Sequence, residues 1–312
     1  MPSSSLSSVE ETLARKGDGA GITAASARAV GRRGLQESVR CTVAYHLALY
    51  HSGGVSYKEQ TVLTRIRRKA SSMATPSPHE RLAQNRLLRT LSAAERQPLL
   101  PALELVPLPL RERLIEPDMP IPFVYFPLHG VVSLISTLGD GTQVEVATIG
   151  HEGLIGLPLV LYANTIPFTA FVQVPGEALR MDAAVFGRLL HEGTGTFPQL
   201  LYRYSQALFN QLAQHVVCNR LHRIAQRCAR WLLLTHDRVD RDAFPLTHEF
   251  LALMLGVRRA SVTEVAGRLQ KAGLIRYRLG IMTILDRAGL EAVSCECYGV
   301  IKQEYDRLLG PA

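Results

Sequence analysis

The sequence predicts an α+β chain: a strand-rich domain, then one long helix, then a small, mostly helical domain. Three observations predict it. Short apolar runs, separated by Gly and Pro turns, recur about every ten residues from Phe123 to Met181. A helical pattern then runs from Phe197 to about Cys218. Beyond it, two short helical patterns flank a glycine and lead into a pair of alternating segments. With 47% apolar residues in 312, the chain has enough to bury a core, which excludes a wholly disordered chain, a collagen-like chain and a disulfide-dense mini-protein. No uncharged apolar run reaches about 18 residues, so no membrane span is expected.

The first 72 residues are rich in Ser, Gly, Ala and Arg and lack sustained periodicity. Met73 opens Met-Ala-Thr-Pro just before a helical pattern and reads as an alternative start. Residues 1–75 are therefore expected to be a disordered or mis-assigned N-terminal extension. Residues 79–91 carry Leu82, Leu87 and Leu88 at helical spacing, and Ser92 with Glu95 forms a capping box. Prolines 98, 101, 107 and 109 then break regularity. Phe123–Phe126 and Val131–Leu138 are strand candidates, and Gly139-Asp140-Gly141-Thr142 is a hairpin signal. Residues 143–149 alternate, and Phe168–Val174 and Glu177–Met181 complete the set. This pattern fits a sandwich or small barrel over residues 76–196.

Residues 197–219 form the long helix. Leu201, Leu208 and His215 recur every seven residues, with Tyr204, Gln211 and Cys218 three further on. Leu201, Tyr204, Leu208 and Leu212 are the candidate seam of a two-stranded coiled coil. A helix packed on its own sheet would show the same pattern.

Charge is unevenly placed. The net +8 divides into +6 over residues 1–72, −3 over 73–217 and +5 over 218–312. In the basic final third, Thr247 can cap a helix over 249–255, Gly256 breaks it, and a second helix spans about 259–271. Val262, Val265, Ala266 and Leu269 form its inward stripe. Arg259, Ser261, Thr263, Glu264 and Arg268 face outward. That layout is a helix-turn-helix. Residues 274–278 alternate, turn near Gly280 and return over 281–285, forming a β-wing whose Arg276 and Arg278 suit phosphates.

With these residues in view, the chain resembles the CRP/FNR regulators. Arg223-Ile224-Ala225-Gln226 resembles the family's helix after the dimer helix. Gly256-Val257-Arg258-Arg259-Ala260-Ser261-Val262 matches its turn and recognition helix, and Leu274-Ile275 begins its wing. The resemblance covers about residues 80–290. It implies a cyclic-nucleotide-binding-like jelly roll, a dimerisation helix, a winged helix-turn-helix over 220–290 and a helical tail over 291–312. It also implies a cytoplasmic homodimer that binds a palindromic double-stranded DNA operator and contacts RNA polymerase. Arg258, Arg259, Ala260, Ser261, Thr263, Glu264, Arg268, Arg276 and Arg278 are the expected DNA-binding residues. The alternative is a ligand- or protein-binding adaptor that no longer binds DNA.

Two departures from the family pattern alter these expectations. Cyclic-nucleotide-binding members anchor ribose with Glu and phosphate with Arg. The matching stretches here are Gly156-Leu157-Pro158 and Phe168-Thr169-Ala170. Leu157 cannot accept the ribose hydrogen bond and Phe168 cannot pair with phosphate, so cyclic AMP in the usual mode is not expected. Gly156, Leu157, Phe168 and Thr169 mark the candidate ligand pocket. On the recognition helix the family places Arg, then Glu, then Arg four residues on. Here Ala260 replaces the Glu and Glu264 replaces the second Arg, predicting a different operator.

Cysteine usage points to a reducing compartment. Cys41, Cys218, Cys228, Cys295 and Cys297 are odd in number and scattered. Cys41 alone cannot hold an iron–sulfur cluster, so none is expected. Cys295 and Cys297 form a CxC with no partner pair elsewhere in the sequence, and no metal is assigned. There is no GxSxG, HExxH or phosphate-cradling glycine loop, and no enzyme is expected.

Overall fold

The structure, a computed structural model, describes residues 77–192, 195–239 and 241–311. The expected N-terminal extension over 1–75, with Cys41, lies outside the described residues. Three short helices lead in: α1 (Pro78–Leu82), α2 (Arg86–Thr90) and α3 (Ala93–Arg96). Ser77 and Ser92 each close a capping box, with Glu80 and Glu95 respectively.

Five antiparallel strands follow: β1 (Glu104–Leu108), β2 (Arg113–Ile115), β3 (Phe123–Thr137), β4 (Gln143–Ile149) and β5 (Thr169–Asp182). The sheet order is β1-β5-β3-β4, and β2 also pairs with β5. Pro107 sits in β1, which pairs with β5 alone, where a missing N–H is tolerated.

The two strands read from sequence over 123–138 are one 15-residue strand, and those over 168–181 are one of 14. What looked like a gap is a bend. Register shifts cluster between Pro127 and Val132. There Gly130, at φ 89°, and Gly176 lie against each other's strands, and a Cβ on Gly130 would sit 2.6 Å from the Val174 carbonyl oxygen. Only glycine permits that approach. Bent in this way, the sheet has two buried faces. Leu108, Leu114, Tyr125, Val132, Ile149 and Val172, drawn from all five strands, enclose one cluster. Val124, Phe126, Val131, Ile135 and Val174 point instead into the main core shared with the helices.

Helix α4 (Ala183–Glu192) precedes the long α5 (Phe197–Leu221). The seam expected from the heptad lies inward: Leu201, Tyr204 and Leu208 are buried within this chain, and Leu212 is half-buried. Gln211 donates to the Thr148 carbonyl and His215 meets that of Val146, so the polar members of the same face pack on β4. Burial and the nearby Arg230 charge depress the His215 imidazole pKa to about 3, which keeps it neutral. The exposed apolar residues of α5 lie on another face.

Helix α6 (Ile224–His236) is separate from α5, because His222 and Arg223 are extended and Arg223 begins a new cap with Gln226. The remaining elements are β6 (Ala243–Pro245), α7 (His248–Leu255), α8 (Arg259–Lys271), β7 (Ile275–Arg278), β8 (Ile281–Ile284), α9 (Arg287–Val293) and α10 (Cys297–Leu309). Helix α10 packs along α5. That packing corrects the picture of scattered cysteines, because Cys295 and Cys297 meet Cys218 in one small buried cluster.

Candidate nucleic-acid interface

Local chemistry builds the two-helix unit. Thr247 Oγ1 accepts from the Phe250 N–H and starts α7. Gly256 ends α7 at φ 61°, a left-handed turn that glycine adopts without strain. Val262, Val265, Ala266 and Leu269 then bury the inner stripe of α8 against α6 and α7. The boundaries of α8 and all four stripe positions match the sequence reading.

The outer face of α8 is exposed at Arg258, Arg259, Ala260, Thr263, Glu264 and Arg268, and Ser261 is half-buried. Arg258 caps the helix with no side-chain bond, so first-turn N–H groups remain open to an anion. The charges on this face pair locally. Arg259 Nη1 donates to Glu249 Oε1 at 2.9 Å, and Arg268 lies 3.7 Å from Glu264. Both pairs are solvent-exposed and therefore weak, so exchanging them for other polar contacts costs little.

The wing is anchored to α8 through its backbone. The Tyr277 N–H donates to Gln270 Oε1 at 2.7 Å, and the Tyr277 ring stacks on His248 at 4.1 Å. His248 in turn meets Thr263 Oγ1 at 3.1 Å. Burial and the Arg259 charge lower the His248 pKa. Arg276 and Arg278 stand on one side of β7, both exposed, on the same unit as α8. Leu279 and Gly280 both have positive φ, as a two-residue hairpin turn requires. Sequence reasoning missed His248, Glu249 and Tyr277. Their roles depend on contacts between elements, which spacing does not encode.

A buried polar chain connects this unit to the sheet. Trp231 Nε1 on α6 donates to Glu145 Oε1 on β4 at 2.7 Å. Ser133 Oγ lies 2.8 Å from Glu145 Oε2 and 2.7 Å from Gln173 Oε1, and Gln173 Nε2 reaches Thr235. One hydroxyl proton cannot serve both acceptors. A protonated Glu145 resolves this: it donates to Ser133, and Ser133 donates to Gln173. Burial pushes the Glu145 carboxyl up to about 7, against the hydrogen bonds with Ser133 and Trp231 and the Arg230 and Arg238 charges. Nearby, Arg238 pairs with Glu152 at 2.8 Å, both nearly fully buried, and also donates to Leu234 and Gln211. Phe171 of β5 meets Phe250 of α7 edge-on. The expected pocket residues lie elsewhere on the sheet domain. Gly156 opens a short 3-10 turn at φ 105°, Leu157 packs on the main core, Phe168 is half-exposed and Thr169 is buried at the start of β5.

Comparison with known proteins adds two family matches. Residues 226–293 match the Crp-like helix-turn-helix domain, and residues 105–192 match the cyclic nucleotide-binding domain. The transcriptional regulator SdrP of Thermus thermophilus is 27% identical over 181 residues, spanning 54% of this chain and 83% of SdrP. The nitrogen fixation regulation protein FixK of Bradyrhizobium diazoefficiens is 26% identical over 180 residues, 54% of this chain and 73% of FixK. In fold, the chain is similar to FixK2 from Bradyrhizobium japonicum, with TM-score 0.54, 15% identity and coverage of 62% of this chain and 98% of that one. TTHB099, a CRP-family transcriptional regulator from Thermus thermophilus, gives TM-score 0.51 at 18% identity, covering 61% and 96%.

Proposed function

The chain belongs to the CRP/FNR family of DNA-binding transcription regulators, and we propose that it acts as a cytoplasmic homodimer reading a palindromic operator through α8. The observation that carries this reading is the exposed row Arg258, Arg259, Ala260, Thr263 and Glu264 beside a wing bearing Arg276 and Arg278. In it, Arg259 donates to guanine, Ala260 touches a thymine methyl and Glu264 accepts from cytosine. Ser261, Thr263, Arg268, Arg276 and Arg278 hold phosphates. Half-sites then lie about one helical turn apart. By resemblance to the family, RNA polymerase is the protein partner.

The dimer seam is proposed on the outer face of α5. Tyr202, Phe209 and Val216 recur every seven residues and are 48%, 64% and 70% exposed. Gln206 and Ala213 fill the intervening exposed positions. Such a row suits a two-stranded coiled coil, whereas Leu201, Tyr204 and Leu208 are buried within this chain. In the sensor, Leu157 and Phe168 stand where ribose and phosphate anchors would be, which favours an effector other than cyclic AMP held in the usual mode. Selection from a random duplex pool with the purified full chain tests the proposal. Enrichment of a two-fold symmetric sequence, with binding that weakens steeply as salt rises, is the expected result. No enrichment at low salt would count against DNA reading and favour an adaptor role.

A further inference from the structure

Cys218 and His222 occupy the last turn and cap of α5, four residues apart on one face. Cys295 precedes α10 and Cys297 is its first residue. The fold brings these two pairs together across more than 70 residues of sequence. Cys218 Sγ lies 3.5 Å from Cys295 Sγ, and Cys297 Sγ lies 3.4 Å from His222 Nδ1. One ligand atom from each of the four falls within 4.8 Å of every other. For a tetrahedral ion with Zn–S bonds of about 2.3 Å and a Zn–N bond of about 2.0 Å, the S···S and S···N edges are about 3.7 and 3.5 Å. A polynuclear iron–sulfur cluster needs its ligand sulfurs further apart.

We infer that Cys218, His222, Cys295 and Cys297 form a closed tetrahedral site for one divalent cation of the zinc type. The surroundings independently fit such an ion. The Nε2 atom of His222, turned away from the sulfurs, pairs with Glu296 Oε1 at 3.2 Å, an arrangement that orients a ligating imidazole. Gln214 Nε2 donates to Cys297 Sγ at 3.1 Å. The three cysteines are buried and His222 is half-buried, so no position is left open to solvent for catalysis. On binding, three thiols release their protons and the imidazole binds through Nδ1, giving three thiolates, one neutral imidazole and a dication with net charge −1. Arg230 supplies the compensating charge. It is 3% exposed, and its Nε and Nη1 are buried without a hydrogen-bond partner.

Such an ion would clamp α10 to the joint between α5 and α6, where the long helix meets the reading unit. That role concerns the joint and does not depend on which DNA is read. The test uses the full chain, purified under reducing conditions from zinc-replete cells and gel-filtered against EDTA. Elemental analysis is expected to find about one zinc per chain. Replacement with Co(II) is expected to give the intense visible bands and thiolate charge transfer of a tetrahedral S3N site. The paired changes Cys295→Ser and Cys297→Ser should reduce bound metal to background. Cys228→Ser should leave it intact, because Cys228 lies apart from the cluster, where burial pushes its thiol up to about 12. His222→Cys keeps four ligands and should retain the ion while strengthening the charge-transfer band, a readout that survives if the double variant fails to fold. The inference is overturned by any of three results: no zinc after filtration with an octahedral cobalt spectrum, full zinc retention in the double serine variant, or an unchanged cobalt spectrum in His222→Cys.

Discussion

Replacing Glu145 with Gln should stabilise the protein at pH 8, although Glu145 is buried and hydrogen-bonded to both Trp231 and Ser133. Its carboxyl moves from the ordinary 4.5 to about 7 in the fold because burial penalises the ion. Between those values the folded chain holds a proton that the unfolded chain has lost. Stability therefore falls as pH rises through that window and then levels off. At about 1.4 kcal/mol per pH unit, the ionised group costs on the order of 3 kcal/mol above pH 7. A Gln amide never ionises, and its carbonyl still accepts from Trp231. Glu145→Gln should therefore match wild type near pH 4.5 and exceed it by on the order of 3 kcal/mol at pH 8. Trp231 is the chain's single tryptophan and touches the substituted atom, so its fluorescence reports urea unfolding directly. If the two proteins keep the same stability difference from pH 5 to pH 8, or the variant is weaker at pH 8, Glu145 is not held protonated and the bonding order Glu145 to Ser133 to Gln173 is wrong.

Other substitutions probe the remaining parts. Glu152→Gln strands the buried Arg238 charge and should destabilise by about 3–5 kcal/mol in denaturant melts. Burial raises the Glu152 carboxyl, but Arg238 outweighs it and the net shift is downward, so this contribution is present at neutral pH and is lost as pH falls through the folded value. Phe209→Asp should yield folded monomers in sedimentation. Leu208→Ala should instead lower stability by about 2–5 kcal/mol, and the opposite pattern would return the dimer seam to the inner face. Arg259→Ala should weaken operator binding by about 1–3 kcal/mol and relax preference at one base position in competition assays.

The reading unit was legible from sequence because its rules are local. Thr247 caps within three residues, Gly256 turns within one, and the α8 stripe repeats within four. The Gly139–Thr142 hairpin was legible for the same reason: Leu138 and Thr142 close it across four residues. The long strands were not. Gly130 and Gly176 read as breaks, and only their meeting across β3 and β5 makes them the bend in continuous strands. A seven-residue repeat is likewise satisfied on α5 by both the Leu201–Leu208 face and the Tyr202–Phe209 face. Periodicity cannot say which of them the sheet already covers.

The sequence by itself determined the order of the domains, the caps and turns of the helix-turn-helix, and the row of side chains that α8 exposes. These follow from hydrogen bonds and burial patterns spanning a few residues. The tertiary structure alone decided which face of α5 is free, that Glu145 and Trp231 join sheet to reader, and that Cys218 and His222 meet Cys295 and Cys297. Each of these depends on side chains about 50 to 90 residues apart becoming neighbours. Packing creates such proximity, and no local spacing rule records it.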